Sequence, residues 1–452
     1  MKETRDTRVG VLFLGRKRPG FDQGWGKEME RRVLAFFENS PYDYTALGKA
    51  VDTHSLLRAL DECRDVGCEV LVAVQTTISD GRLAPELAQR WPLPIVLWAT
   101  PERHGGPREI SNSLVGTHLF ASILRRFGHP FEILYGSPQE EELLGELDEA
   151  IRCTRTTARL RTAKIGTIGG QAPGYLAMRG DQFALGYSMG VQVRHFSIHE
   201  LLQVAESISE RRIEEDVREV LSLGLPFDED VTTSELPVNS RIYLALTQIS
   251  TEEGLDALAL REWPELPEII GQWVYLALVR LNMNGLPTAM EGDVEGALLS
   301  LVGSWLGIGT GYISDWLEHD DSTVTTWHMG NAPLEMCYPV GDSRGPRLAR
   351  HFNIPKPVVV NATLEPGRPV TLCRIWSMDG GYRMFARNGV TVPPDRDLLG
   401  TNGRVELEDT SVQGFFHKLC HEGMPHHVTV FPGHHQNLFT RFARQVGAKW
   451  IY

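Results

Sequence analysis

The chain alternates two patterns along its first third. RVGVLFLG (8–15) is a short apolar run ending in a Gly/Arg/Pro loop, and KEMERRVLAFFE follows with apolar residues at helical spacing. CEVLVAVQ (68–75), PIVLWAT (94–100) and FEILYG are further short apolar runs, separated by the helical patterns SLLRALDECRD, LAPELAQRW and VGTHLFASILRRFG. Strands alternating with helices predict a parallel sheet covered on both faces. Ligands of such sheets bind beyond strand C-termini, which makes Arg16, Arg18, Gln75, Thr76 and Thr77 candidate contacts.

A charged, weakly apolar stretch, DEAIRCTRTTARLRTAK (148–164), bridges to the strand start KIGTIGG, so a boundary is expected near residue 163. The theme then repeats with VQVRHFS, an amphipathic helix from IHELLQVAESI, and a helix carrying PEIIGQWVYLALVRLN that stops at Gly285. After residue 340 the texture changes to PKPVVVNATL, PVTLCRIWSM, YRMFARNGVTV and GRVELE, β-branched runs parted by Pro/Gly turns. HHVTVFPG and a helix, NLFTRFARQVG, close the chain. The expected architecture is two parallel-sheet (Rossmann-like) α/β domains, 1–163 and 164–340, followed by a β-rich C-terminal domain, 341–452.

A net charge of −13 over 452 residues, with no local Lys/Arg cluster, argues against a nucleic-acid partner. Six cysteines without CxxC pairs indicate neither a zinc ribbon nor a disulfide framework. The N-terminal KETRDTR is not a signal region and no apolar run is long enough to span a bilayer, so a reduced, cytoplasmic protein without a membrane partner is expected.

GTIGGQAPG (166–174) follows a strand but lacks the GxGxxG spacing of a dinucleotide site, and reads better as a tight strand-to-loop turn. TAMEGDVEGALLSL (288–301) is more demanding: Glu291, Asp293 and Glu295 stand at the mouth of an apolar run. Acids suit a helix N-terminus, which accounts for one or two of them on a solvated first turn. An inward-turned carboxylate holding a cation accounts for another. Asp315 after GIGTGYIS, His328 at the end of STVTTWH and His427 opening HVTVF likewise sit at the edges of apolar elements, where a polar group must be paired or hold an ion. Carboxylates and imidazole without thiolate suit Mn²⁺ or Mg²⁺ rather than structural zinc.

Five segments together carry a family resemblance: REWPELPE (261–268), GLPTAMEGDVEGALL (285–299), TTWHMGNAP (325–333), EPGRPVTLCRI (365–375) and GMPHHVTVF (423–431). With them, over nearly its whole length, the chain resembles the L-fucose isomerase and L-arabinose isomerase superfamily of metal-dependent aldose–ketose isomerases. The resemblance implies an intramolecular oxidoreductase working through a cis-enediol. Glu291, Asp315 and His427 would hold Mn²⁺, with Mg²⁺ or Co²⁺ as substitutes, and Glu291 and Asp315 would share the acid/base work. His328, Asn331, Gln75 and one of Arg16 and Arg18 would contact the sugar, while Asp293 and Glu295 would belong to the helix start. A homo-oligomer, trimer or hexamer, is implied as well. The expected substrate is of the L-fucose/D-arabinose kind; the alternatives are a modified or anionic aldohexose, or a non-catalytic sugar-binding protein. Gln272, Trp273 and Tyr275, with His434 and His435 after FPG, depart from the family pattern and are candidates for reshaping the sugar pocket.

Overall fold

A computed structural model describes residues 7–17, 21–103, 109–408 and 411–452. They form two compact units. The described residues up to Arg159 make the first, joined by Arg441–Val446, and the second holds Leu160–Thr440 and Gly447–Tyr452.

The first unit is an all-parallel sheet in the order Asp43–Ala50, Arg8–Leu14, Val70–Gln75, Ile95–Ala99, Phe131–Tyr135. Val70–Gln75 is buried along its whole length, the signature of a strand covered on both faces. The strand Asp43–Ala50 was not legible in the sequence. DYTALGKA lies at the sheet edge with only Leu47 and Ala50 buried, so it carries little apolar pattern. The stretch expected to bridge two domains is instead most of the helix Glu141–Leu160. Its inner face mixes Leu147, Ala150, Ile151 and Cys153 with buried Thr154, Thr156 and Thr157, and those threonines thin the apolar pattern.

The second unit opens with a four-stranded parallel sheet, Gln192–Phe196, Lys164–Ile168, Ala257–Leu260, Thr288–Ala289. A six-stranded antiparallel barrel follows. Tyr312–His319 pairs with Thr323–His328, which pairs with Thr401–Leu407, then Gly381–Val392, Pro369–Met378 and His427–Pro432, which returns to Tyr312–His319. Closure leaves no free edge in the ring. Tyr312, Leu372, Trp376, Phe385, Val405 and Val430 are among the residues that fill it. Two of its strands precede residue 341, so the β-rich part begins at Tyr312 rather than where the texture of the sequence changes. The helix expected to run through PEIIGQWVYLALVRLN is two helices, Glu265–Ile270 and Tyr275–Met283. Gly271 breaks it, at φ +75°.

Candidate metal centre and active site

Strand Thr288–Ala289 ends at the C-terminal edge of its parallel sheet, and Glu291 lies two residues beyond it. The turn is tightly clamped. Glu291 has φ +60° and Gly292 φ +73°. A Cβ on Gly292 would stand 2.0 Å from the Gly170 carbonyl oxygen, so only glycine fits against the GGQAPG loop. The Ala172 N–H donates to the Glu291 carbonyl (3.0 Å), and the Gly292 N–H to that of Leu260 (3.0 Å). From REWPE, Glu262 accepts the Glu291 N–H at Oε2 (2.7 Å) and the Tyr275 hydroxyl at Oε1 (3.0 Å). Glycine loop and REWPE motif thus hold the left-handed turn that aims the Glu291 carboxylate.

The barrel supplies the rest. Asp315 lies directly opposite His427 in antiparallel register, which puts both side chains on one face. His427 Nε2 is 3.3 Å from Glu291 Oε2 and 3.7 Å from Asp315 Oδ1. His328 Nε2 stands 3.8 Å from Glu291 Oε1. Ligand atoms of Asp315, His328 and His427 all lie within 4.8 Å of one another, as do those of Glu291, His426 and His427. The four residues picked from separate apolar edges therefore meet in space.

His426, Trp263, Tyr175 and Glu262 also belong to this place, and the sequence did not single them out. His426 Nε2 lies 3.6 Å from Glu291 Oε2 and 3.7 Å from Asp315 Oδ1. Neighbours within a strand face opposite ways, but His426 sits in the bend before the strand and turns back beside His427. The Trp263 indole N–H donates to Glu291 Oε1 (3.2 Å), and Tyr175 packs edge-on against Trp263 and His426.

The histidines' protons follow from their partners. The Asp293 carboxylate only accepts, so the 2.9 Å contact of His427 Nδ1 with Asp293 Oδ2 makes Nδ1 the donor. His328 is the reverse case: its Nδ1 accepts the Met329 N–H (2.9 Å), leaving the neutral ring's proton on Nε2, toward Glu291. Burial lowers the His328 pKa and keeps that ring neutral, against the raising pull of Asp315 and Glu291.

The reading of Asp293 and Glu295 as solvated helix-start acids is overturned. Both are buried. Asp293 caps the helix Val294–Trp305 through the Gly296 N–H (2.9 Å), but it also takes two bonds from the buried Arg374, Nη1 to Oδ2 (2.6 Å) and Nη2 to Oδ1 (2.8 Å). Glu295 accepts the Ser377 N–H (2.7 Å).

Asn331 is buried, with Nδ2 3.7 Å from Met290 Sδ. Of the departing residues only Tyr275 reaches the cluster, its ring edge-on to His328; Gln272 bonds Asn239 and the Glu235 carbonyl, and Trp273 the Ile354 carbonyl. His434 and His435 do not join it. They lie past the far end of the strand that His427 opens, against the backbone of Gly389 and Pro432. In the first unit, Arg16 lines a cavity of about 600 Å³ with Lys17, Asp52, Asp80 and Arg82. Gln75 is wholly buried and accepts the Ser79 N–H at Oε1 (3.2 Å), while Thr76 and Thr77 are buried too. Arg18 lies outside the described residues.

A cation fits the cluster. Glu291 Oε2 and His427 Nε2 are buried atoms without a hydrogen-bond partner, 3.3 Å apart. With its proton on Nδ1, a neutral His427 turns a lone pair at two carboxylates, which a metal ion or a second proton must reconcile. Carboxylate oxygens and imidazole nitrogen form a hard to borderline donor set, as Mn²⁺ and Mg²⁺ require.

Without metal the second proton decides. Burial lowers the His427 pKa, but Asp293 and Glu291 outweigh it and raise it to about 9. Burial, and then the Glu291 charge, lifts Glu262 to about 8, while burial opposed by Arg374 lifts Glu295 to about 7. Burial also pushes the Glu291 carboxyl up, but the imidazoles of His426 and His427 hold it well below the usual range. Each raised group keeps a proton when folded that the unfolded chain has released, so stability declines with rising pH. The His427 contribution is complete below its ordinary value of 6.5 and lost through about 9. The penalties of Glu262 and Glu295 grow from their ordinary 4.5 up to about 8 and 7. The melting temperature of chelator-treated protein should therefore fall between about pH 6.5 and pH 9; a flat or rising curve would contradict these assignments.

No family model matches the chain. The sulfoquinovose isomerase of Priestia aryabhattai is 26% identical over 82% of this chain and 83% of its own length. That of Clostridium sp. (strain MSTE9) is 26% identical over 88% and 90%. An L-arabinose isomerase of Shewanella sp. (strain MR-4) is 24% identical over 64% of this chain and 61% of its own length. The chain is accordingly an enzyme of the aldose–ketose isomerase class. Among the described residues, no helix is long and apolar enough to cross a membrane.

Proposed function

We propose that this enzyme interconverts an aldohexose carrying a charged C6 group and its ketose, at the cluster of Glu291, Asp315 and His427. The convergence of these three around two partnerless buried atoms carries the reading. Glu291, Asp315 and His427 would hold Mn²⁺, which supplies charge stabilisation for the enediolate when bound. The residues do the rest. One carboxylate takes the C2 proton and returns it to C1, while a second proton passes between O2 and O1, so atoms and charge balance. Glu291 is ionised at neutral pH and is fixed by Trp263, as a base must be. Asp315 is the partner acid. His328 presents its Nε2–H as a donor for a sugar oxygen. Tyr175 and Trp263 wall the site and restrict water.

The charged substrate is favoured by the sulfoquinovose isomerases, which match the chain over more of its length than the arabinose isomerase does. A neutral L-fucose or D-arabinose is the second reading, favoured by an aspartate at position 315 as in fucose-type relatives. One of Arg16 and Arg18 is proposed as a substrate contact offered by a neighbouring subunit of a homo-oligomer. One experiment addresses the whole reading. Mn²⁺-loaded enzyme, sized by light scattering, is given sulfoquinovose, L-fucose, D-arabinose, L-arabinose and D-galactose, and ketose is measured with and without chelator. We expect metal-dependent turnover of the charged sugar by an oligomer. Turnover of L-fucose alone would transfer the assignment to the second reading, full activity after metal removal would end the metal mechanism, and an active monomer would end the oligomer proposal.

A further inference from the structure

Asp293 receives four donors on two oxygens. Oδ2 accepts from Arg374 Nη1 (2.6 Å) and His427 Nδ1 (2.9 Å), and Oδ1 from Arg374 Nη2 (2.8 Å) and the Gly296 N–H (2.9 Å). Asp293, Arg374 and His427 are all fully buried, so no solvent can substitute for any of them. A helix cap needs only the Gly296 contact and needs no burial. The other three bonds belong to a different task.

We propose that Asp293, oriented by the Arg374 fork, is the positioning residue that keeps the His427 proton on Nδ1 and presents a bare Nε2 to the site. The fork is planar and fixes both carboxylate oxygens, which leaves one direction for the lone pair that His427 meets. Arg374 stands on the barrel strand Pro369–Met378, the hydrogen-bonded neighbour of the strand that His427 opens. Asp293 comes from the helix beyond the parallel sheet. The bond therefore also fixes the ring across the seam between the two layers of this unit. His328 lacks such an acid: its Nδ1 takes a backbone N–H, so two buried imidazoles facing one carboxylate carry their protons on opposite nitrogens. The inference rests on reading the cluster as a cation site, because only there does a bare Nε2 have a use.

Asp293→Asn tests it. An amide NH2 at either oxygen position would face two donors, and relief at the His427 side comes from moving that ring's proton to Nε2. Mn²⁺ affinity, read by calorimetry on the full chain, should fall by roughly 10–100-fold. ¹⁵N-histidine spectra of metal-free protein, taken at a pH high enough that the His427 ring shows a single proton, should show that proton on Nδ1 in the wild type and not in the variant; His427→Gln assigns the signal. Glu295→Gln is the comparison, since Glu295 approaches Arg374 at 4.0 Å and does not touch His427. It should leave Mn²⁺ affinity and the His427 signal unchanged. A folded Asp293→Asn protein with wild-type affinity and the proton still on Nδ1 would overturn the proposal, as would an equal loss of affinity in Glu295→Gln. Should Asp293→Asn not fold, the wild-type spectrum decides: a proton on Nε2 refutes the assignment. Wild-type protein that binds no Mn²⁺ would instead sink the cation reading, and the spectra would still report the tautomer.

Discussion

Glu291→Gln lowers turnover by roughly 10²–10⁴-fold, the usual scale for removing an acid–base group, and lowers Mn²⁺ occupancy in the same samples. The substitution keeps shape and hydrogen-bonding capacity, so the Trp263 indole N–H retains an acceptor at Oε1. What goes is the negative charge beside His427 and His426, which lie 3.3 Å and 3.6 Å from Oε2. Asp315→Asn should behave alike in turnover but hold metal better, because its side chain is 29% exposed whereas that of Glu291 is only 9% exposed. Measuring metal content with single-turnover rates separates lost ligand from lost base. Near-wild-type turnover in Glu291→Gln with metal retained would remove Glu291 from the chemistry.

Arg374→Met should destabilise the fold by about 3–5 kcal/mol, the scale for breaking a buried ion pair from one side. Arg374 and Asp293 are both inaccessible, and their two bonds of 2.6 Å and 2.8 Å run in parallel. Removing the guanidinium leaves a carboxylate that Arg374 and His427 otherwise hold far below its ordinary range, with no water to replace what it lost. The measurement is a urea unfolding series; a change under about 1 kcal/mol, the scale of an exposed pair, would mean that the fork is not what keeps Asp293 buried.

Much of the site was legible because its residues stand at the edges of apolar runs. Glu291, Asp315, His328 and His427 each break such an edge, and the structure brings all four together. The expectation for Asp293 and Glu295 fails for a reason the sequence itself contains. VEGALLSLVG is apolar on every side, so its helix is enclosed all round, and acids at its first turn have no solvent to face. Arg374, alone inside PVTLCRIWSM, is the matching cue: a cation in a fully buried strand needs an anion beside it. His426 and Glu262 give no such cue, since one depends on a bend before its strand and the other on a side chain reaching the backbone of residue 291. The edge strand Asp43–Ala50 and the threonine-lined helix Glu141–Leu160 escape because both conceal little apolar surface in a regular period.

The closing strand of the barrel has a kinetic meaning. His427 meets Asp293 across 134 residues of chain, and its strand seals the ring by pairing with Tyr312–His319. Contacts between such distant segments carry the largest loop-closure entropy and form late. The ligand set is therefore complete only once this strand has docked. A cation that binds only the finished ring would act as a latch, adding stability that grows with the logarithm of its free concentration.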